Sequence, residues 1–204
     1  MIVAFIGPKG HGKNTCASIL DEKMFNGEAQ FLAFADPIKE VCKTIFGWDD
    51  SYFEGKKKES IDPSFGVSPR KAMQYIGTEV GQFGFSEAFP EFKKVTGRKL
   101  WSSWVSNNWD KSKDLIITDM RFLHEHETMM DLERRFKVPY FAIRVERPDI
   151  RQTDKHISET SYINIPVDCI IQNSKKSELP YQIELIIKEV LTVYENPVKL
   201  KGIS

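Results

Sequence analysis

The feature that most constrains this chain lies close to its N-terminus. The run Gly7-Pro8-Lys9-Gly10-His11-Gly12-Lys13-Asn14-Thr15 follows an apolar stretch, Ile2-Val3-Ala4-Phe5-Ile6, and precedes Cys16-Ala17-Ser18-Ile19-Leu20. An apolar strand, a glycine-rich turn, a lysine and a helix together make a phosphate-binding loop. Glycines let backbone N–H groups turn inward around a phosphate without Cβ clashes. The following helix directs its positive end at the same anion. Lys13 is then positioned to reach the outer phosphates of a nucleotide. The usual pattern has Ser or Thr directly after the lysine; here Asn14 stands there and Thr15 comes one place later.

The rest of the chain fits a sheet that could carry such a loop. Apolar runs predict strands at 2–6, 30–34, 114–119, 140–145 and 167–171. Helical spacing predicts helices over 15–24, 36–46, 125–136 and 179–194. Asp36-Pro37 is a start signal, with Asp36 at the N-cap and Pro37 in the first turn. Strands alternating with helices predict a three-layer α/β fold around a central parallel five-stranded sheet. The stretch 48–110 differs: it is rich in charge and aromatics, is broken by Gly, Pro and Ser, and lacks strand periodicity. Helices are expected from Ser68-Pro69 through Val80 and over 100–109. One domain is expected, with a core of about 1–47 and 112–195 and a helical acceptor-binding and lid insertion over about 48–110. The tail after Asn196-Pro197 is expected to be loose.

Composition removes several function classes. Lys+Arg and Asp+Glu are both 29, so a broad basic face for duplex nucleic acid is not indicated. No apolar stretch approaches the roughly 20 residues that span a bilayer. The three cysteines, Cys16, Cys42 and Cys169, are far apart and outside any metal-ligand spacing. They read as free thiols packed in a core, in a reducing cytoplasm.

Ligands of open α/β sheets bind outside the carboxyl ends of the strands. The phosphate loop, Asp36, Asp119 with Arg121, and Arg147 are all delivered to that edge. Asp119 closes an apolar strand, either as a magnesium-organising acid or as a cap. Arg121 is placed to pair with Asp119 or to bind a phosphate. Phosphoryl transfer needs cations around the migrating group, and Lys13, Arg121, Arg147 and Arg151 are the candidates. Arg70 and Lys71 open a helix, a poor dipole position for cations that an anionic ligand would explain, as would simple surface charge. His124 and His126 read as surface histidines. His156 is a turn cap or a site residue. Phe65, Tyr75, Trp101 and Trp104 either stack a base or pack the core.

Several blocks resemble the deoxynucleoside monophosphate kinases of bacteriophages. They are Gly7 to Thr15, Phe34-Ala35-Asp36-Pro37-Ile38-Lys39, Ser68-Pro69-Arg70-Lys71-Ala72-Met73-Gln74-Tyr75-Ile76-Gly77-Thr78-Glu79, Thr118-Asp119-Met120-Arg121-Phe122, Arg144-Val145-Glu146-Arg147-Pro148, His156-Ile157-Ser158-Glu159 and Ile171-Gln172-Asn173. The Lys-x-Thr ending of the loop is similar to that of nucleoside monophosphate kinases such as adenylate kinase. The resemblance implies a P-loop kinase-like fold that transfers the γ-phosphate of ATP, with Mg2+, to a dNMP for DNA precursor synthesis. It places Gly10, His11, Gly12, Lys13, Asn14 and Thr15 on the ATP phosphates, with Arg151 on the nucleotide and Asn173 near the adenine. Family members often carry Asp where this chain has Asn14. Asp36, Lys39, Arg70, Gln74, Thr78 and Trp104 would face the acceptor. Asp119 and Arg121 would organise the transfer centre, with Thr15 and Asp119 on the metal. Arg147, Arg151 and His156 would belong to the segment that closes, and Asp119, Arg121, His156 and Glu159 would also contact the substrate. Lys13, Asp36, Arg121 and Arg147 would be the catalytic set. The partners implied are small-molecule nucleotides, with no nucleic acid and no membrane, a homodimer as the common default, and the host cytoplasm if phage-encoded. Two other readings keep the loop: a kinase for dephospho-coenzyme A or another acceptor, and an ATP-binding regulatory module. The accepted base is not legible.

Overall fold

A computed structural model describes residues 1–150 and 156–195. Arg151 and the stretch after 195, both given expectations above, lie outside the described residues. The chain groups into two compact units, Met1–Leu32 with Trp109–Ser204, and Ala33–Asn108.

The first unit is built on five parallel strands: β1 (Ile2–Ile6), β2 (Gln30–Leu32), β3 (Leu115–Met120), β4 (Tyr140–Glu146) and β5 (Cys169–Gln172). Their order in the sheet is β2-β3-β1-β4-β5. β1 is central, and all five of its residues are buried. A parallel strand covered on both faces must be apolar throughout, which is why its sequence does not alternate. Val3 and Phe5 point into a core shared with Cys16, Ala17 and Leu20 of helix α1 (Lys13–Met24) and with Leu179, Ile183, Ile186 and Val190 of helix α9 (Leu179–Glu195). Helix α7 (Leu123–Phe136) packs against β4 with Met129 and Leu132 buried. The chain fills the sheet on the β2 side of β1 before it crosses to the β4 side. That reversal puts the topological switch point at the carboxyl end of β1, where the glycine-rich loop begins.

The second unit is helical. It contains α2 (Asp36–Phe46), two short 3-10 turns (Asp50–Phe53 and Lys57–Glu59), α3 (Pro69–Gln74), a π-helical segment (Tyr75–Gly84), α4 (Phe85–Ala88), α5 (Pro90–Val95) and α6 (Leu100–Asn108). Ser68 caps α3 by accepting from the Lys71 N–H at 3.4 Å. An uninterrupted α-helix was expected from there to Val80. The helix instead widens into π geometry at Tyr75. Gly77 and Gly81 explain this: neither carries a Cβ, so the Trp101 indole lies against Gly81 and its Nε1 donates to the Gly77 carbonyl at 2.7 Å. Trp48 anchors the other end of the unit. It stacks on Phe46 and Tyr52, and its Nε1 donates to buried Asp62 at 2.8 Å.

Three sequence expectations are corrected here. Asp36 is the first helical residue of α2, with Ala35 at the N-cap, and its carboxylate turns back to accept from the Ala33 N–H at 2.8 Å. His126 is buried rather than on the surface: its Nδ1 lies 2.9 Å from the Tyr140 hydroxyl, and burial lowers its pKa. β2 stops at Leu32, so Phe34 belongs to the turn before α2. The three cysteines are free thiols, and burial pushes Cys16 and Cys42 up to about 11 and Cys169 up to about 12. Among the described residues, no helix is long and apolar enough to cross a membrane.

Candidate active site

The loop after β1 turns under severe steric limits. Gly7 has φ 138° because a Cβ there would meet the Val145 carbonyl. Gly12 has φ 95°, and a Cβ there would collide with the Asn173 amide. Only glycine adopts such backbone without strain. Helix α1 opens directly from Gly12, so its unpaired N–H groups and positive dipole end face the loop. Lys13 is buried at the base of this cradle. Its Nζ donates to the carbonyls of Gly7 at 2.7 Å and Pro8 at 2.8 Å. Asn14 is exposed and Thr15 half-buried, both in the first turn of α1.

The other strand ends are tied to this loop. Asn173 follows β5, and its backbone N–H donates to Glu146 O at 2.7 Å. Its side-chain amide donates to the His11 carbonyl at 2.9 Å. Asn173 thus clamps the loop, a contact not foreseen for a residue placed beside adenine. Arg147 follows β4, and its backbone N–H donates to His11 Nδ1 at 3.0 Å. Its guanidinium pairs with Asp149 at 3.1 Å, which holds that carboxyl below its usual range.

Beyond β3 a second cluster forms. Asp119 lies in the last turn of pleat before Met120, and Arg121 follows the strand. The Arg121 guanidinium bonds Glu159 Oε1 at 2.5 Å and the Ser158 carbonyl at 3.0 Å. Glu159 is buried in the short helix α8 (Ile157–Thr160), which His156 caps by accepting from the Ser158 N–H at 3.2 Å. Arg121, His156 and Glu159, three separate sequence candidates, therefore form one cluster.

Glu125 was missed as a site residue. Its Oε2 accepts from the backbone N–H of Arg121 at 2.7 Å and of Phe122 at 3.0 Å. Full burial, with Asp119 adding repulsion, pushes its carboxyl up to about 8 against the pull of those two N–H donors. A Glu three residues after a helix start is the signal that could have found it.

The second unit holds the remaining candidates. Asp36 pairs with Lys39 at 2.9 Å, both half-buried. Arg70 pairs with Glu59 at 2.7 Å. Gln74 ends α3, and Thr78 is buried in the π-helical segment. Trp104 is half-buried on α6, whereas Phe65 and Tyr75 are exposed and Trp101 is buried.

Chemically, the first unit offers an anion cradle flanked by a lysine and two arginines, with a carboxylate at the adjacent strand end. Such an array neutralises charge spread over a transferring phosphoryl group. Among the described residues no cluster of three or more His, Cys, Asp or Glu could hold a metal by itself.

The chain is similar to a protein of Acanthamoeba polyphaga mimivirus provisionally assigned as a deoxynucleotide monophosphate kinase, 29% identical over 184 residues, covering 87% of this chain and 91% of that one. It is similar to the solved structure of a provisionally assigned kinase from Chloroflexus aurantiacus, with TM-score 0.49, 11% identity and coverage of 94% and 96%. It is also similar to shikimate kinase from Aquifex aeolicus, with TM-score 0.43, 15% identity and coverage of 94% and 99%. The profile of the deoxynucleotide monophosphate kinases matches residues 53–183. With that match over most of its length and a phosphate loop ahead of it, this chain belongs to the deoxynucleotide monophosphate kinase family and is an ATP-dependent phosphotransferase.

Proposed function

We propose that this enzyme transfers the γ-phosphate of ATP to a deoxynucleoside monophosphate, giving dNDP and ADP for DNA precursor synthesis. The observation that carries the reading is the convergence of the phosphate loop, Arg121, Arg147 and Asp119 on the carboxyl ends of adjacent strands in a family member. Gly10, Gly12, Asn14 and Thr15 cradle the ATP phosphates, and Lys13 follows the moving charge. Thr15 and Asp119 would hold a magnesium ion, which would supply Lewis-acid stabilisation of the phosphates. Arg121 and Arg147 neutralise charge on the transferring group. The helical unit supplies the acceptor site: Asp36 orients the acceptor, Arg70 binds its phosphate, and Lys39, Gln74, Thr78 and Trp104 line it. Little covalent chemistry is asked of the protein, because positioning and electrostatics carry phosphoryl transfer.

The test is ADP release from ATP and Mg2+ in the presence of each common dNMP, each ribose counterpart and dephospho-coenzyme A. Strong stimulation by one or a few dNMPs is the expected result and identifies the base. Stimulation by dephospho-coenzyme A alone, or by none of these, would overturn the dNMP assignment.

A further inference from the structure

His11 is engaged through both its side chain and its main chain by the ends of neighbouring strands. Its carbonyl accepts from Asn173 after β5, and its ring Nδ1 accepts from the backbone N–H of Arg147 after β4. His11 is 7% exposed, and its Nε2 is buried with no hydrogen-bond partner among the described residues. A backbone amide can only donate, so Nδ1 must present its lone pair, and the proton of the neutral ring sits on Nε2. If the ring gained a second proton, an N–H at Nδ1 would face the Arg147 N–H and the contact would be lost. That backbone N–H belongs to a residue whose guanidinium is assigned to the transferring phosphate.

We propose that His11 is a positioning residue: its neutral imidazole pins the Arg147 main chain to the phosphate loop and so sets where the Arg147 guanidinium stands during transfer. This rests on the role given to Arg147 in the proposed function. The groups that face the ring are Lys13, Arg147, Glu146, Asp149 and the Val145 carbonyl. Burial, Lys13 and Arg147 disfavour the charged ring and outweigh Glu146 and the Val145 carbonyl, so the pKa lies below the ordinary value. The ring is therefore neutral, and the anchor intact, at neutral pH. Acid should release it.

Three full-length proteins decide the matter: the unsubstituted chain, His11→Asn and His11→Ala. Asparagine offers a carbonyl oxygen near the position of Nδ1 and cannot be protonated. Alanine offers no acceptor. Transfer from ATP to the best dNMP is followed from about pH 5 to about pH 9. In the unsubstituted enzyme kcat should fall on the acid side, with a midpoint below about 6.5. His11→Asn should keep most of kcat at about pH 8 and lose that acid limb. His11→Ala should lose about 10- to 100-fold in kcat at every pH, with KM for ATP little changed, because misplacement rather than binding is the defect. An unaltered kcat in His11→Ala, or an acid limb that persists in His11→Asn, would overturn the proposal. Should His11→Ala fail to fold, as thermal unfolding would report, His11→Asn carries the test. If no dNMP is phosphorylated by the unsubstituted enzyme, the proposed function fails separately. The Arg147 amide proton then reads the contact by NMR: its shift should follow the His11 ring titration and should not titrate in His11→Asn. An Arg147 amide indifferent to that titration overturns the inference.

Discussion

The two units hold their polar and charged side chains in different ways. In the sheet unit they are fixed largely by main-chain groups. Lys13 is held by the carbonyls of Gly7 and Pro8, Arg121 by the Ser158 carbonyl beside Glu159, and Asn173 by the His11 carbonyl. In the helical unit side chains take a larger share: Asp36 pairs with Lys39 as well as accepting from the Ala33 N–H, and Arg70 pairs with Glu59, which is itself exposed. A main-chain carbonyl at a strand end stays where the sheet puts it. An ion pair between half-exposed side chains is worth little and exchanges readily. The phosphate cradle is therefore fixed by the sheet, whereas Arg70 rests on the exposed Glu59 carboxylate, a partner that an anionic ligand could displace.

The largest expected effect attacks the rigid half. Lys13→Ala should lower kcat by at least about 10²- to 10³-fold, the range for loss of one preorganised charge contact. Thermal unfolding should show the fold intact, because the sheet core does not depend on that ammonium group. A folded variant with near-normal turnover would break the comparison at its base.

The adaptable half is tested next. Arg70→Ala should raise the acceptor KM about 10- to 100-fold and change kcat much less, since a phosphate contact present in both ground and transition states is lost. Glu59→Gln removes the surrogate partner and should leave the acceptor KM unchanged or lower. If both variants raised KM equally, Arg70 would serve the structure of its own unit and not the acceptor.

Within the helical unit, Gly81→Ala would drive a methyl group into the Trp101 indole. Overpacking of this kind costs about 1–3 kcal/mol. A fall in Tm of about 2–10 °C is expected for a chain of this size. An unchanged Tm would show that the π-helical segment can move aside.

The last test concerns Glu125, whose carboxyl is raised from 4.5 to about 8 by burial. The folded chain keeps this proton to higher pH than the unfolded chain does. The stability it contributes is complete below about 4.5 and is lost as pH rises through about 8. Between those limits Tm should fall by a few degrees more in the unsubstituted protein than in Glu125→Gln, whose amide oxygen still accepts from Arg121 and Phe122. Parallel Tm profiles would mean that Glu125 titrates near its ordinary value in the folded state.

Legibility follows the same division. The strands, the parallel sheet and the glycine-rich turn were readable because a doubly covered strand must be apolar throughout and a phosphate loop must be glycine-rich. The helix around Gly77 and Gly81 was misread because α and π geometry share an apolar periodicity over one or two turns. What separates them is the indole of Trp101, twenty residues beyond Gly81 in the sequence. His126 was misread for a related reason: it sits in a charged stretch, and only the sheet reveals that Tyr140 waits beneath it.

Sequence alone determined the phosphate loop, the alternating α/β plan and the residue types that reach the carboxyl edge. Those are consequences of local patterning, in which each residue answers to neighbours a few positions away. Tertiary structure decided the partners. That Arg121 takes Glu159, that Asn173 clamps the loop and that His11 holds Arg147 all depend on which strand ends become neighbours. Strand order is set by packing over the whole sheet, and the order β2-β3-β1-β4-β5 brings together loops that the sequence keeps more than a hundred residues apart.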